Sequence, residues 1–125
     1  MISTEYVACF FDGEGTVVIY LQKSKYAVLT VGISNTNKHI LELIKVKYGG
    51  NIYERKIADK GRKRVFQWKL GTIASMFAFL LDIASYVVVK KDAVDLALEY
   101  IEKYCSGPIK QDVSGRMEFY LLTKT

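Results

Sequence analysis

The 125-residue sequence lacks the features of a linker, a fibre or a membrane protein. It has one proline and nine glycines, too few for a linker-rich or collagen-like chain. No apolar run reaches the roughly 18 residues that a membrane-spanning helix needs. The opening MISTEYVACFF lacks the basic segment of a secretory signal peptide. We therefore expect a single domain, residues 1–125, that is intracellular and not secreted.

Cysteine and histidine are also scarce. The cysteines, Cys9 and Cys105, are far apart and lack metal-ligand spacing, which favours a reduced compartment and small buried apolar roles. The only histidine is His39, for which an exposed helix position is the default. A structural zinc site is not indicated.

Positive charge is in modest excess and unevenly placed. Lys and Arg number 18 against 13 Asp and Glu, a net charge of +5. Between positions 55 and 69 the basic residues are Arg55, Lys56, Lys60, Arg62, Lys63, Arg64 and Lys69, and the one acid is Asp59. Such a block is either a solvated hairpin or a surface for polyanions such as nucleic acid.

Hydrophobic periodicity predicts helices alternating with hairpins. The predicted elements are a helix at about 4–13, strands 16–23 and 26–34 around Ser24-Lys25, a helix ending at Gly49-Gly50, strands 51–57 and 64–70, a helix capped by Thr72, an extended joint SYVVV, and a helical tail at about 92–125 interrupted at Gly107-Pro108. The order α-β-β-α-β-β-α(α) predicts an α+β fold, a saddle-shaped antiparallel four-stranded sheet with the helices on one face.

The other sheet face is predicted to be open. If Phe66, Trp68 and Leu70 point into the core, alternate residues of all four strands share the opposite face. These are Val18, Tyr20, Gln22, Tyr26, Val28, Thr30, Asn51, Tyr53, Arg55, Gln67 and Lys69. Such side chains suit phosphates and base edges of DNA, although an ordinary polar sheet face is the alternative.

The stretch VACFFDGEGTVVIY begins as an apolar helix and ends as a strand. A short helix that is apolar all round is expected to be buried against a second copy of itself. We predict dimer contacts at Val7, Ala8, Phe11 and Asp12. Glu14 follows at the helix end, where an acid opposes the helix dipole unless a cation offsets it.

The segment VACFFDGEG resembles the signature of the LAGLIDADG homing endonucleases in its A-G-F-x-D-G-E-G form. GGNIY, FQWKLG and YVVVKKDAVDLALEYIEKY resemble further family segments in the same order, so the resemblance covers about residues 4–105. A chain with one such motif implies a symmetric homodimer, intron-encoded, that cuts both strands of a long pseudo-palindromic double-stranded DNA site across the minor groove. Cys9 departs from the family pattern, which has glycine there.

The resemblance also implies residue roles. Glu14 would bind a divalent metal, Mg²⁺ or Mn²⁺, with the Gly13 carbonyl as a second ligand, and Asp12 would be structural. Lys90 would be the basic residue near the scissile phosphate, with Lys91 as the alternative. Asn35 would order active-site solvent, or else cap the following helix.

Two other functions fit the same resemblance. One is a maturase that assists splicing of intron RNA, and the other is a DNA-binding regulator that does not cut. Glu14 and Lys90 are both present, which favours the endonuclease.

Overall fold

Helices and hairpins alternate in the predicted order. The structure is a computed structural model that describes residues 2–22, 26–55 and 64–104. Its elements in those ranges are α1 (Thr4–Glu14), β1 (Gly15–Gln22), β2 (Tyr26–Asn35), α2 (Lys38–Tyr48), β3 (Asn51–Arg55), β4 (Val65–Lys69), α3 (Ile73–Ile83) and α4 (Lys91–Tyr104). The predicted α+β fold is confirmed. The turn at 23–25, the basic turn 56–63 and the tail 105–125, with Cys105 and Gly107-Pro108, lie outside the described residues.

One antiparallel sheet contains all four strands, in the order β1-β2-β4-β3. Within the first hairpin Val18 pairs with Thr30, and the two hairpins join where Gly32 of β2 pairs with Lys69 of β4. A Cβ on Gly32 would collide with the Trp68 carbonyl, so glycine permits this close approach of the strands.

Short polar side chains begin the helices. The oxygens of Ser3, Asn37 and Thr72 accept backbone N–H groups in the first turns of α1, α2 and α3, at 3.1, 3.3 and 3.2 Å. Gly49 and Gly50 end α2 with φ angles of 80° and 90°, in the left-handed region that favours glycine.

The core is centred on Phe79 of α3. Its ring contacts those of Phe11, Tyr48 and Trp68 edge-on, with centroids 5.2, 4.8 and 5.2 Å away. Each such pair contributes about 0.5–1.5 kcal/mol beyond the burial of its area. The fully buried Trp68 donates its indole N–H to the Gly49 carbonyl at 2.8 Å. Helices α1, α2 and α3 are therefore anchored on the same side of the sheet.

Asp82 of α3 connects the N-terminal end of α1 with the C-terminal end of α2. Its Oδ2 accepts hydrogen bonds from the Tyr48 hydroxyl at 2.6 Å and the Thr4 hydroxyl at 3.2 Å. Burial, and then the bond to Asp82, raises the pKa of Tyr48 to about 12. Tyr48 therefore remains a neutral donor at any physiological pH, and the N-terminal end of α1 is held in place.

Three of the α1 residues predicted to contact a second chain are instead buried within this one. Val7, Ala8 and Phe11 have no exposed surface, because they pack into the chain's own core. A side chain with no accessible surface cannot contact a partner, so the prediction of dimer contacts at these three residues is wrong. The outward face of α1 carries Tyr6 and Cys9, both exposed, with the partly exposed Phe10 and the exposed Gly13.

The joint between α3 and α4 is turned, not extended as predicted. The N–H groups of Tyr86 and Val87 both donate to the Ile83 carbonyl, at 3.0 and 3.2 Å. Val87 is buried, whereas Val88 and Val89 are exposed. The physical reason is that the Asp12 carboxylate of α1 accepts the next three N–H groups, those of residues 88–90, and thereby holds the joint in a turn.

Candidate nucleic-acid interface and the tip of α1

Glu14 is the last residue of α1 and is exposed. Gly13 lies within the helix, and Gly15 follows it in an extended conformation, donating its N–H to the Phe11 carbonyl. A Cβ on Gly15 would collide with the Phe11 ring. Glycine at position 15 thus lets the chain pass from helix to strand directly against the core, which leaves the Glu14 carboxylate at the surface.

Asp12 faces the α3–α4 joint. Its Oδ2 accepts the N–H groups of Val88 and Val89 at 3.1 and 3.0 Å, and its Oδ1 accepts that of Lys90 at 2.8 Å. The bonds from Val89 and Lys90 hold the pKa of this carboxyl below its usual value. Asp12 therefore fastens the joint to the tip of α1 within one chain, as a structural residue.

Lys90 lies at the same C-terminal end of α1, residues 12–14, which we call the α1 tip. Its Nζ donates to the Asp12 carbonyl at 2.9 Å. The neighbouring Lys91 points elsewhere, since its Nζ donates to the Ala84 carbonyl at 2.9 Å and to Asp95 Oδ1 at 3.1 Å. Of the two lysines, Lys90 is the one whose ammonium group is beside the end of α1.

Asn35 ends β2 on the helix-facing side of the sheet, opposite the half-buried Phe66. Its Oδ1 accepts the N–H of Asn37 at 2.8 Å, a local turn just before the helix, while Asn37 is the actual N-cap of α2. The carbonyl oxygen of this side chain is therefore engaged locally. The predicted role of Asn35 in ordering solvent rests on the resemblance alone. The histidine that follows, His39, is exposed on the first turn of α2, the default position expected for it.

The donor chemistry at the α1 tip fits a hard divalent cation. Magnesium prefers oxygen ligands and commonly takes only one or two carboxylates, with the rest from water and phosphate. Glu14 supplies one carboxylate, and the Gly13 carbonyl belongs to the last helical turn, whose carbonyls have no intrahelical partner. Among the described residues no three His, Cys, Asp or Glu side chains cluster as a protein-only metal site.

The strand register places the predicted DNA-facing positions on one face. Val18 pairs with Thr30 and Tyr20 with Val28, while Lys69 pairs with Asn51 on one side and Gly32 on the other. The opposite face is the core, where Ile19, Val31 and Trp68 are fully buried. Gln22 and Tyr26 pair at the end of the first hairpin, and their side chains lie outside the described part of the chain.

Period-two alternation extends this face to three side chains that were not among the predicted ones, Thr16, Ser34 and Val65. Thr16 is opposite Gly32, and Ser34 is opposite Gln67. Both lie at the end of the sheet nearest the α1 tip, because β1 begins immediately after Glu14. The signal was present in the sequence: the alternation reaches Thr16 one step before Val18 and Ser34 two steps after Thr30.

The Lys69 side chain lies against the glycine that it faces on β2. A Cβ placed on Gly32 would lie 3.2 Å from Lys69 Cγ, so the lysine stem lies against that glycine. Gly32 in turn pairs with Thr16, two residues beyond Glu14. The stem of Lys69 therefore lies over β2, at the end of the sheet that adjoins the C-terminal end of α1.

The solved structures that resemble this chain are homing endonucleases. The I-CvuI endonuclease, crystallised with the I-CreI target DNA and Mg²⁺, matches at 24% identity and TM-score 0.69 over 97% of this chain and 77% of that one. The archaeal intron-encoded I-Vdi141I, complexed with DNA, matches at 20% identity and TM-score 0.54 over 97% and 96%.

A third match covers less of its counterpart. The LAGLIDADG endonuclease I-GzeII, in complex with its DNA target, matches at 23% identity and TM-score 0.67 over 82% of this chain and 36% of that one. No protein-family model and no curated protein matches the sequence. The comparison establishes the fold: this chain has the LAGLIDADG homing endonuclease fold, as the sequence resemblance implied.

Proposed function

We propose that this protein is a homodimeric, site-specific DNA endonuclease that hydrolyses a phosphodiester bond in each strand of a duplex. The observation that carries the proposal is the assembly at the α1 tip. Glu14 is exposed there and leads directly into β1, Lys90 donates to the Asp12 carbonyl at 2.9 Å, and the open face of the same sheet bears Arg55 and Lys69.

The metal-binding groups would be Glu14 and the Gly13 carbonyl, with the DNA phosphate completing the set. A divalent cation at this position would supply an activated water and stabilise the leaving oxygen. The chain's own contribution is to hold the carboxylate at the surface, which Gly15 and Phe11 do by turning the chain at the helix end.

Lys90 would act on the phosphate. An ammonium group beside the helix end can stabilise the negative charge that develops on the phosphate oxygens. Asp12 positions it, because its carboxylate binds the three successive N–H groups of residues 88–90. Asp12 is thus proposed as a positioning residue and not as a metal ligand.

DNA would bind along the open face of the sheet. Its polar and basic side chains, above all those of β3 and β4, suit phosphates and base edges. The described helices pack on the other face through the common core, so a duplex can approach without displacing them.

The homodimer follows from the stoichiometry of the site. One chain offers one Glu14 tip for one strand, and cutting a duplex needs two tips related by a two-fold axis. The outward face of α1 is the proposed contact. A Cβ placed on Gly13 would meet no atom of the described residues within 4 Å, which leaves room for a second helix.

Replacing Glu14 with Gln tests the proposed function. Binding sites are first selected from a randomised duplex library, and cleavage of the selected DNA is then measured with Mg²⁺. The variant should bind with nearly unchanged affinity but lose cleavage, because the amide is a poor metal ligand. Cleavage that survives in this variant would overturn the metal assignment. Binding without cleavage by the native chain would favour the regulator instead.

The adjacent lysines provide a matched pair. Lys90→Met should reduce the cleavage rate at saturating DNA by about 10²–10³-fold, the usual cost of losing one group that stabilises transition-state charge. Lys91→Met removes the same charge one residue away, where the ammonium group contacts Ala84 and Asp95. It should cleave almost normally, and equal losses in the two variants would contradict the role given to Lys90.

A further inference from the structure

The two hairpins present different chemistry on the same open face. The described part of the first hairpin contributes Thr16, Val18, Tyr20, Val28, Thr30 and Ser34, which we call the first-hairpin surface. The second contributes Asn51, Tyr53, Arg55, Val65, Gln67 and Lys69, the second-hairpin surface. The second-hairpin surface has two cations and two amides and carries methyl groups on one of its six side chains, whereas the first-hairpin surface has no cation or amide and carries methyl groups on four of its six.

The methyl-bearing side chains of the first-hairpin surface are not part of the core. Val18 and Thr30 are opposite each other and partly exposed, and so are Tyr20 and Val28. Their strand neighbours Ile19 and Leu29 point the other way and are buried at 0 and 4% exposure. The valines of the open face therefore retain apolar surface that the folded chain does not cover.

The major groove is the groove wide enough to admit β-strands, and the base edges there differ in the chemistry that they offer to such a surface. Thymine is the one base of B-DNA that presents a methyl group there, and side-chain methyls contact it favourably. Adenine, guanine and cytosine present donors and acceptors, which valine cannot satisfy and would leave desolvated. Arginine and the amide side chains are suited instead to guanine and adenine.

We propose that the first-hairpin surface selects thymine, through contacts of Val18, Val28 and Thr30 with thymine methyl groups in the major groove. The half-site is then bipartite, with a thymine-containing A·T segment under the first hairpin and a segment read by hydrogen bonds under the second. This inference rests on the proposed DNA binding and specifies the class of DNA sequence bound.

Removing single methyl groups from the DNA tests the inference. Sites are selected from a randomised duplex library, and each preferred thymine is replaced in turn by deoxyuridine, which lacks only the methyl group. At the thymines under the first hairpin each replacement should weaken binding about fourfold, as expected for the loss of one buried methyl group. Replacement at thymines outside the footprint should have no effect.

A pair of protein variants assigns the effect to this surface. Val18→Asn should change the preferred base at one position from thymine to adenine, because an amide can form two hydrogen bonds with adenine. Val46→Asn is the control, since Val46 is 87% exposed on α2, on the other side of the sheet. It should leave the selected sequence unchanged.

The outcomes separate this inference from the proposed function. Selected sites without a thymine preference, or with thymines that tolerate deoxyuridine, would overturn the inference and leave DNA binding intact. A selection that enriches no sequence at all would overturn the proposed function and the inference with it.

Discussion

The two faces of α1 are both apolar, yet they serve different purposes. Val7, Ala8 and Phe11 are completely buried and join the core of the chain. Tyr6, at 53% exposure, and the exposed Cys9 lie on the other side, where the described part of the chain leaves them uncovered. A hydrophobic helix can thus fold its own chain with one face, and in the proposed homodimer the other face contacts the second chain.

The two acids at the end of the helix differ in the same way. Asp12 is committed to the backbone of residues 88–90, and its pKa is lowered by those bonds. Glu14 is two residues further on, which turns it by more than half of a helical turn, and it is exposed. The inward acid organises the end of the helix and the joint after α3, and the outward acid is the one that we propose binds a cation.

The largest difference between the faces should appear on replacing the adjacent phenylalanines. Phe11→Ala should lower the free energy of unfolding by about 3–5 kcal/mol, because it leaves a cavity in the core beside Phe79. Phe10→Ala, on the partly exposed side, should cost less, about 1–2 kcal/mol, because Phe10 packs only partly against the core. Urea denaturation of both variants at high dilution, where self-association does not contribute, measures this, and similar costs would contradict the division of α1 into two faces.

The glycines at the helix end should respond in opposite directions. Gly15→Ala forces the Phe11 ring to move and should destabilise the fold by about 1–3 kcal/mol. Gly13→Ala meets no described atom within 4 Å and should stabilise the separate monomer by about 0.5–1 kcal/mol, the helix preference of alanine over glycine.

The same Gly13→Ala variant also tests the dimer. If a second α1 packs against Gly13, the added methyl group must weaken self-association even though it stabilises the monomer. Sedimentation equilibrium gives the dissociation constant and urea denaturation at high dilution gives the monomer stability. Unchanged self-association would exclude Gly13 from the interface.

Asp12→Asn should remove a pH-dependent contribution to stability. The folded pKa of Asp12 lies below the unfolded value of 3.8, so the ionised carboxylate stabilises the fold at neutral pH and loses this effect as the pH falls through the folded pKa. The difference in unfolding free energy between native protein and variant should therefore shrink below about pH 4. A variant that keeps the pH dependence of the native protein would contradict the role of Asp12 in anchoring residues 88–90.

Cross-linking at Cys9 should have the smallest effect on the fold and the clearest effect on assembly. Cys9 is an exposed free thiol on the outward face of α1. In a Cys105→Ser background, a short bismaleimide should produce a covalent dimer, and the additional change Cys9→Ser should abolish it. A dimer in solution that cannot be linked through Cys9 would show that the chain associates through a different face.

Much of the fold was predictable because local patterns and long-range pairing agree. The β-branched strands, the cap Thr72 and the Gly49-Gly50 stop each specify an element, and the alternation of Trp68 and Lys69 specifies the buried sheet face. The first hairpin was harder, since both of its faces are apolar. Burial of Ile19 and Val31 shows that the predicted phase, with Val18 and Thr30 outward, is the one present.

The sequence by itself determined the order of elements, the single motif and the acid at the end of its helix. These depend on residue type and spacing along the chain. Tertiary structure alone decided which apolar face of α1 is buried, which of Lys90 and Lys91 reaches the helix tip, and that Asp12 binds residues 88–90 across more than 70 positions of sequence. The physical reason is that these choices depend on packing against α3 and the joint that follows it, and periodicity within one helix carries no information about the element that covers it.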